Sequence, residues 1–279
     1  MAVQNETYAA RIQRKLMKKQ HLVDVAAGRK RADLVLKNAT YINVFSNELC
    51  KGDIAVAKGQ IVGMGSYEGE TEVDVTGKIV CPGFVDAHIH LESSLVSPKE
   101  FARAVLPHGT TTVITDPHEI ANVAGVEGIR FMMERTAGLT LDVFFMLPSC
   151  VPATGLDESG AVLPADKLEP FYKDERVLGL AELMNSYGTT RADQRILDKL
   201  EGALGKNKLV DGHAPGLTGM ELNAYVTAGV KSDHECSTAS EAIEKLSRGQ
   251  WIMIREGTAA RNLEAMMPLF QEPYYHRCM

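Results

Sequence analysis

Seven short apolar segments from Ile79 onward alternate with stretches long enough for a helix. In chain order they are IVCPGFVDA, TTVITD, DVFFMLP, VLGLAE, KLVDGHA, AGVKSDH and WIMIRE. Repeated strand–helix units of this kind predict a parallel sheet with helical crossovers. Seven strands suit an α/β protein of the TIM-like (β/α)8 barrel type better than an open sheet of five or six strands. About 200 residues remain for this part, where a complete barrel takes about 250, so we expect an incomplete barrel that stops before its eighth strand.

The chain before this region has a different pattern. Residues 1–30 are predicted to contain a helix, and its basic stretch RIQRKLMKKQ is more typical of a solvated helix face than of a polyanion-binding arm. Residues 31–81 alternate apolar and polar positions, which predicts a small antiparallel sheet, the N-terminal β-sandwich part of the fold. We therefore expect three regions: a helix in 1–30, a small sheet in 31–81 and the barrel in 82–279.

Composition excludes several classes of function. The formal net charge is −6, from 36 acidic and 30 basic residues, which is not the signature of a nucleic-acid-binding protein. No apolar run reaches the ~18 residues of a membrane span, and the polar N-terminus is unlike a signal peptide. The five cysteines form no CxxC pair and predict free thiols in a reducing compartment. We expect a soluble cytoplasmic protein without nucleic-acid or membrane partners.

Five of the eight histidines lie where predicted strands end. They are His88, His90, His118, His213 and His234. In a parallel barrel the loops that leave the carboxyl ends of the strands carry the active site. His88 and His90 are one residue apart on a strand, so both imidazoles point to the same side and can bind one ion. Glu182 ends the apolar strand VLGLAE, where an unpaired carboxylate is costly to bury unless a cation lies nearby. Together, His88, His90, Glu182, His213 and His234 predict a site for two metal ions.

Longer motifs resemble a known family. The run VCPGFVDAHIHLESS, followed by a carboxylate and two histidines on later strands, resembles the amidohydrolase superfamily of metal-dependent hydrolases. Within that superfamily, the chain is similar to the bacterial adenine deaminase family in HIHLESS, TTVITDPHEIANVAG, FMLPSCVPAT, GLAELMN, DGHAPGLTG, SDHEC and IMIREGTAARNL. The similarity extends over nearly the whole chain.

The resemblance implies a binuclear centre that holds Mn²⁺, with Fe²⁺ or Zn²⁺ as alternatives. His88 and His90 would bind the buried ion, Glu182 would bridge the two ions, and His213 and His234 would bind the outer ion. A metal-activated hydroxide would hydrolyse adenine to hypoxanthine and ammonia in purine salvage. Three residues, Glu92, His118 and Glu119, are candidate catalytic groups for proton transfer. A structural role is equally open for these three, since Asp116 to Glu119 could simply cap the following helix.

The resemblance also implies parts that the 279 residues do not contain. The family has a catalytic aspartate at the end of strand eight, soon after the segment similar to PYYHRCM, and a C-terminal domain beyond it. We therefore expect a C-terminally truncated chain with little activity alone, and a homo-oligomer for the complete protein. The alternatives are another amidohydrolase that acts on a cyclic amide, or a non-catalytic remnant.

Overall fold

A computed structural model of the chain describes residues 7–258 and 260–279. The chain divides into two units, the first ending at Pro82 and the second running from Gly83 to Met279. None of the described helices combines the length and the apolar content that a bilayer span requires. The first six residues of the predicted 1–30 region lie outside the described part of the chain.

The first unit combines one helix with a five-stranded sheet. Its elements are α1 (Tyr8–Ala26), β1 (Ala32–Asn43), β2 (Glu48–Ala57), β3 (Gln60–Gly65), β4 (Gly69–Asp74) and β5 (Ile79–Val80). Thr7 caps the start of helix α1, since its hydroxyl accepts a hydrogen bond from the Ala10 N–H at 3.2 Å. Leu22 and Val25 of this helix are buried in a cluster with apolar residues of the sheet.

The prediction of an antiparallel β-sandwich part is wrong in its strand directions. Strands β1, β2 and β3 are antiparallel, whereas β4 and β5 both run parallel to β1 in a single mixed sheet. The twelve-residue strand β1 is long enough to pair with β4 near its start and with β5 near its end. Alternating apolar and polar residues show which face of a strand is buried but do not show its direction, so the pattern could not reveal this.

The second unit contains the seven predicted strands and the helices between them. The strands are β6 (Phe84–Ile89), β7 (Thr110–Thr115), β8 (Asp142–Leu147), β9 (Val177–Leu183), β10 (Leu209–Gly212), β11 (Ser232–Asp233) and β12 (Trp251–Ile252). The helices are α2 (Pro98–Val105), α3 (His118–Thr136), α4 (Ala165–Leu168), α5 (Ser186–Thr190), α6 (Gln194–Leu204), α7 (Gly219–Thr227), α8 (Ala239–Leu246) and α9 (Leu263–Met266). Short 3-10 helices lie at Leu91–Ser94, Leu106–His108, Glu169–Lys173, Met267–Leu269 and Tyr275–Arg277.

These strands form the parallel sheet of an incomplete barrel, as the sequence predicts. Five of them pair in the order β10-β9-β8-β7-β6, and β11 pairs in parallel with β12. Next to β12, Cys278 forms a parallel bridge with Ile252. The strands are apolar because helices cover the sheet, and Phe145 and Leu180 are fully buried. All the carboxyl ends within the five-stranded sheet therefore lie along one edge.

Glycine is required at one close approach inside this sheet. A Cβ on Gly179 of β9 would lie 2.2 Å from the carbonyl oxygen of Leu209 on β10. The missing side chain lets the two strands pair closely just before β9 reaches Glu182.

Candidate metal centre

The predicted metal ligands come together at the carboxyl ends of the parallel strands. His88 lies in β6 and His90 directly follows it, while Glu182 lies near the end of β9. His213 follows β10 and His234 follows β11. Each ligand lies at or just beyond the carboxyl end of its strand, so the side chains converge from four different strands.

Glu182 occupies the centre of this cluster and is almost fully buried. Its Oε1 atom lies 3.3 Å from His90 Nε2 and 3.9 Å from His88 Nε2. Its Oε2 atom lies 2.6 Å from His213 Nδ1 and 3.2 Å from His234 Nε2. The two oxygens of one carboxylate therefore face different predicted histidine ligands, which is the arrangement a bridging ligand needs.

The histidines also contact one another. The Nε2 atoms of His88 and His90 are 3.2 Å apart, and the rings of His88 and His234 stack with their centroids 3.8 Å apart. His90 Nδ1 lies 2.9 Å from the carbonyl oxygen of Asp116, which can accept its N–H and so fix the orientation of the ring.

The electrostatics keep Glu182 charged and His88 neutral. Burial works to raise the pKa of Glu182, but hydrogen bonds with His118, His213 and His234 outweigh it and hold that pKa far below its usual range. Burial, together with the nearby charge of His234, lowers the pKa of His88 to about 3. A charged carboxylate and a neutral imidazole are the forms in which these side chains bind metals.

A divalent cation fits this cluster. At most one hydrogen can lie between the facing nitrogens of His88 and His90, so their close approach suits a shared positive ion. Asp116 Oδ1 is buried and has no hydrogen-bond partner in the described part of the chain, which leaves it free for an ion. Three overlapping groups have donor atoms within 4.8 Å of one another: His90–Asp116–His118–Glu182, His88–Glu182–His234 and His213–His234–Glu235.

The three candidate catalytic residues lie beside the cluster. His118 Nδ1 is 2.8 Å from Asp116 Oδ2 and 3.2 Å from Glu182 Oε1, so His118 is also placed as a possible ligand. Glu119 accepts a hydrogen bond from the Ser93 hydroxyl at 2.6 Å, and its other oxygen lies 3.7 Å from His90 Nδ1.

The helix-capping alternative applies to Glu92 rather than to Asp116. Helix α3 follows Pro117, which provides no side-chain cap, and Glu92 Oε1 accepts the N–H of Ile120 at 3.2 Å. The other oxygen of Glu92 is buried without a hydrogen-bond partner among the described residues. Burial raises the pKa of Glu92 to about 7.

The structure adds three residues to the site that the sequence did not identify as ligands or catalytic groups. Asp116 belongs to one possible ligand group, and Glu235 Oε1 lies 3.4 Å from His234 Nε2. Arg255 donates two hydrogen bonds to the Glu235 carboxylate, at 2.5 and 2.9 Å. All three lie at the carboxyl ends of predicted strands, and that position was the available signal.

Comparison with known proteins identifies the family. Residues 79–268 match the amidohydrolase family, which covers most of the second unit and the ligand cluster. The chain belongs to the amidohydrolase family.

Within this family, the chain is similar to proteins known as adenine deaminases. It is 55% identical to the adenine deaminase of Clostridium acetobutylicum over 88% of this chain, and 51% identical to that of Bacillus pumilus over 91%. It is 53% identical to adenine deaminase 2 of Carboxydothermus hydrogenoformans over 92% of this chain. The chain spans only 43–45% of the length of these relatives. The predicted resemblance to adenine deaminases is confirmed.

Two solved structures share the fold at low sequence identity. A mutant of the atrazine chlorohydrolase TrzN from Arthrobacter aurescens, complexed with zinc, superposes with a TM-score of 0.59 at 17% identity. That match covers 79% of this chain and 65% of the other. A mutant N-acetyl-D-glucosamine-6-phosphate deacetylase from Mycobacterium smegmatis gives 0.54 at 16% identity, covering 88% of this amidohydrolase and 69% of the other chain.

Proposed function

We propose that this chain carries the metal centre of an adenine deaminase, an enzyme that hydrolyses adenine to hypoxanthine and ammonia. The main support is the position of Glu182, whose two oxygens face different predicted histidine ligands. Relatives that are 51–55% identical over about nine-tenths of the chain bear the name adenine deaminase. In the overall reaction water replaces the exocyclic amine of adenine, and the amine leaves as ammonia.

Two ions would be held by side chains of this chain. His88 and His90 with Glu182 would hold the buried ion, and His213 and His234 with Glu182 would hold the outer one. A bound pair of divalent metals lowers the pKa of water, so that a nucleophile is present at neutral pH. Manganese, which the family resemblance implies, is our first choice of metal. Iron and zinc are alternatives because imidazole and carboxylate ligands suit all three ions.

Three neighbouring residues would handle protons. Asp116 would keep the His118 imidazole in one orientation through their 2.8 Å contact, and a histidine held in this way can pass a proton to the purine or to the leaving amine. Glu92 and Glu119 each have one buried oxygen without a hydrogen-bond partner in the described residues. Such oxygens can accept a proton or an N–H of the substrate.

The remaining proposals are supported by the resemblance to adenine deaminases. We propose that the full-length protein is a homo-oligomer that takes part in purine salvage in the cytoplasm. Size-exclusion chromatography with light scattering on the full-length protein would report its oligomeric state.

The experiment uses two polypeptides and one matched variant. The first polypeptide is these 279 residues, and the second joins them to the part of the Clostridium acetobutylicum enzyme that they do not match. Both are supplemented with Mn²⁺, assayed by the absorbance change from adenine to hypoxanthine, and analysed for metal content. Glu182→Gln in each removes the central charge with almost no change in size.

We expect about two metal ions per chain in both polypeptides. We also expect weak turnover by the 279 residues and strong turnover by the fusion, because the family's strand-eight aspartate is restored there. Glu182→Gln should abolish both the turnover and the paired binding of metal. A metal-loaded fusion that is inactive on adenine but hydrolyses a cyclic amide would overturn the substrate assignment, and absence of bound metal would overturn the proposed centre.

A further inference from the structure

The hydroxyl of Tyr225 joins the two strand ends that carry Glu182 and His213. Tyr225 lies on α7 and its side chain is fully buried. Its hydroxyl donates a hydrogen bond to the carbonyl oxygen of Leu183 at 2.6 Å and accepts one from the backbone N–H of His213 at 2.9 Å. One side-chain atom therefore links the residue after Glu182 to His213 itself.

The sheet is irregular at the point where this link occurs. The pairing of β9 with β10 shifts register between Val210 and Gly212, and its last pair is Gly212 with Leu183. The backbone groups beyond that pair are the Leu183 carbonyl and the His213 N–H that the tyrosine satisfies. A buried backbone group without a hydrogen-bond partner is unfavourable. The tyrosine hydroxyl therefore supplies the hydrogen bonds that strand pairing would supply if the sheet continued.

The hydrogen bonds of Tyr225 also affect the distance between two ligand atoms. Glu182 Oε2 and His213 Nδ1 are only 2.6 Å apart, and the distance between them depends on how the ends of β9 and β10 are held. Residues behind metal ligands commonly fix the ligands' orientation, and removing them weakens metal binding about 10- to 100-fold.

We propose that Tyr225 is a positioning residue that sets the separation of Glu182 and His213 and so determines the affinity for the outer ion. This inference rests on the proposed metal centre. The buried ion shares Glu182, but its two histidines, His88 and His90, lie at the end of β6 and not on β9 or β10, so its affinity is affected much less.

Tyr225→Phe tests this role, and Tyr172→Phe is the matched control. Both tyrosines are buried, but the hydroxyl of Tyr172 has no hydrogen-bond partner in the described residues. Stepwise Mn²⁺ binding to the metal-free 279-residue chain is followed by electron paramagnetic resonance. We expect Tyr225→Phe to weaken one binding step about 10- to 100-fold and to leave the other near its parent value. Tyr172→Phe should leave both steps as in the parent. Unchanged binding in Tyr225→Phe, or equal weakening of both steps, would overturn the inference.

A second readout does not need metal. Hydrogen exchange on the metal-free protein, followed in peptides that contain His213, reports directly on the N–H that Tyr225 holds. We expect faster exchange there in Tyr225→Phe and parent-like exchange in Tyr172→Phe. Unchanged exchange in Tyr225→Phe would overturn the tyrosine's role, whereas a parent chain that binds no Mn²⁺ would overturn the proposed centre. The two failures can therefore be told apart.

Discussion

Replacing the buried Lys245 should destabilise the second unit strongly. The lysine is fully buried, and its Nζ atom lies 2.7 Å from Ala214 O, 2.8 Å from Glu241 Oε1 and 3.3 Å from Asp233 Oδ2. Lys245→Met keeps the apolar stem but leaves the Asp233 carboxylate buried without its cation. Breaking a buried ion pair from one side costs about 3–5 kcal/mol. For a unit of about 200 residues this lowers the melting temperature by about 6–20 °C.

The pH at which this contribution is present follows from the pKa of Lys245. Burial lowers that pKa, but the charges of Asp233 and Glu241 outweigh the effect and raise it above the ordinary value of 10.5. The stabilisation is therefore complete at neutral pH and is lost only when the pH rises through the raised pKa.

Thermal unfolding at pH 7, followed by circular dichroism, measures the effect. The control is Lys206→Met, which breaks an exposed ion pair with Glu169 of 2.6 Å. Such pairs contribute about 0–1 kcal/mol, so the control should shift the melting temperature by about 4 °C or less. Equal shifts in the two variants would refute the argument that the buried Asp233 carboxylate needs Lys245.

Three further predictions concern other parts of the chain. Glu182→Gln should reduce the Mn²⁺ content, measured by mass spectrometry, to at most one ion per chain, and full retention would contradict the bridging role. Gly179→Ala should cost at least ~1–3 kcal/mol in urea unfolding, because the new Cβ would meet Leu209 O at 2.2 Å, and parent-like stability would contradict the close approach. The hydrogen bond from Lys37 lowers the pKa of Asp53. The stability that the charged Asp53 carboxylate contributes is therefore fully present above about pH 4 and is lost as the pH falls through the lowered pKa. Asp53→Asn should therefore flatten the loss of stability between pH 5 and pH 3, compared by urea unfolding, and identical pH profiles would contradict this.

The strands of the second unit could be predicted because buried parallel strands are apolar along their whole length. The run VLGLAE, for example, became β9, whose residues are nearly all buried. The directions of β4 and β5 could not be predicted, because an alternating pattern defines the buried face of a strand and leaves its partner open.

The convergence of the histidines could also be predicted from the sequence. Parallel strands bring their carboxyl ends together, so His88, His213 and His234 could be grouped without coordinates. Asp116 and Glu235 were harder to assign to the site, because a carboxylate at the end of a strand is as typical of a turn or a helix cap as of a metal site. The role of Tyr225 depends on the irregular end of the β9–β10 pairing, which leaves no trace in the residue pattern.

The most direct test of the metal centre is anomalous diffraction at the manganese absorption edge from crystals of the Mn²⁺-loaded chain. The arrangement around Glu182 predicts two anomalous peaks. One should lie between Glu182 Oε1 and the His88 and His90 side chains, and the other between Glu182 Oε2 and the His213 and His234 side chains. A single peak, or peaks away from Glu182, would contradict the proposed binuclear centre.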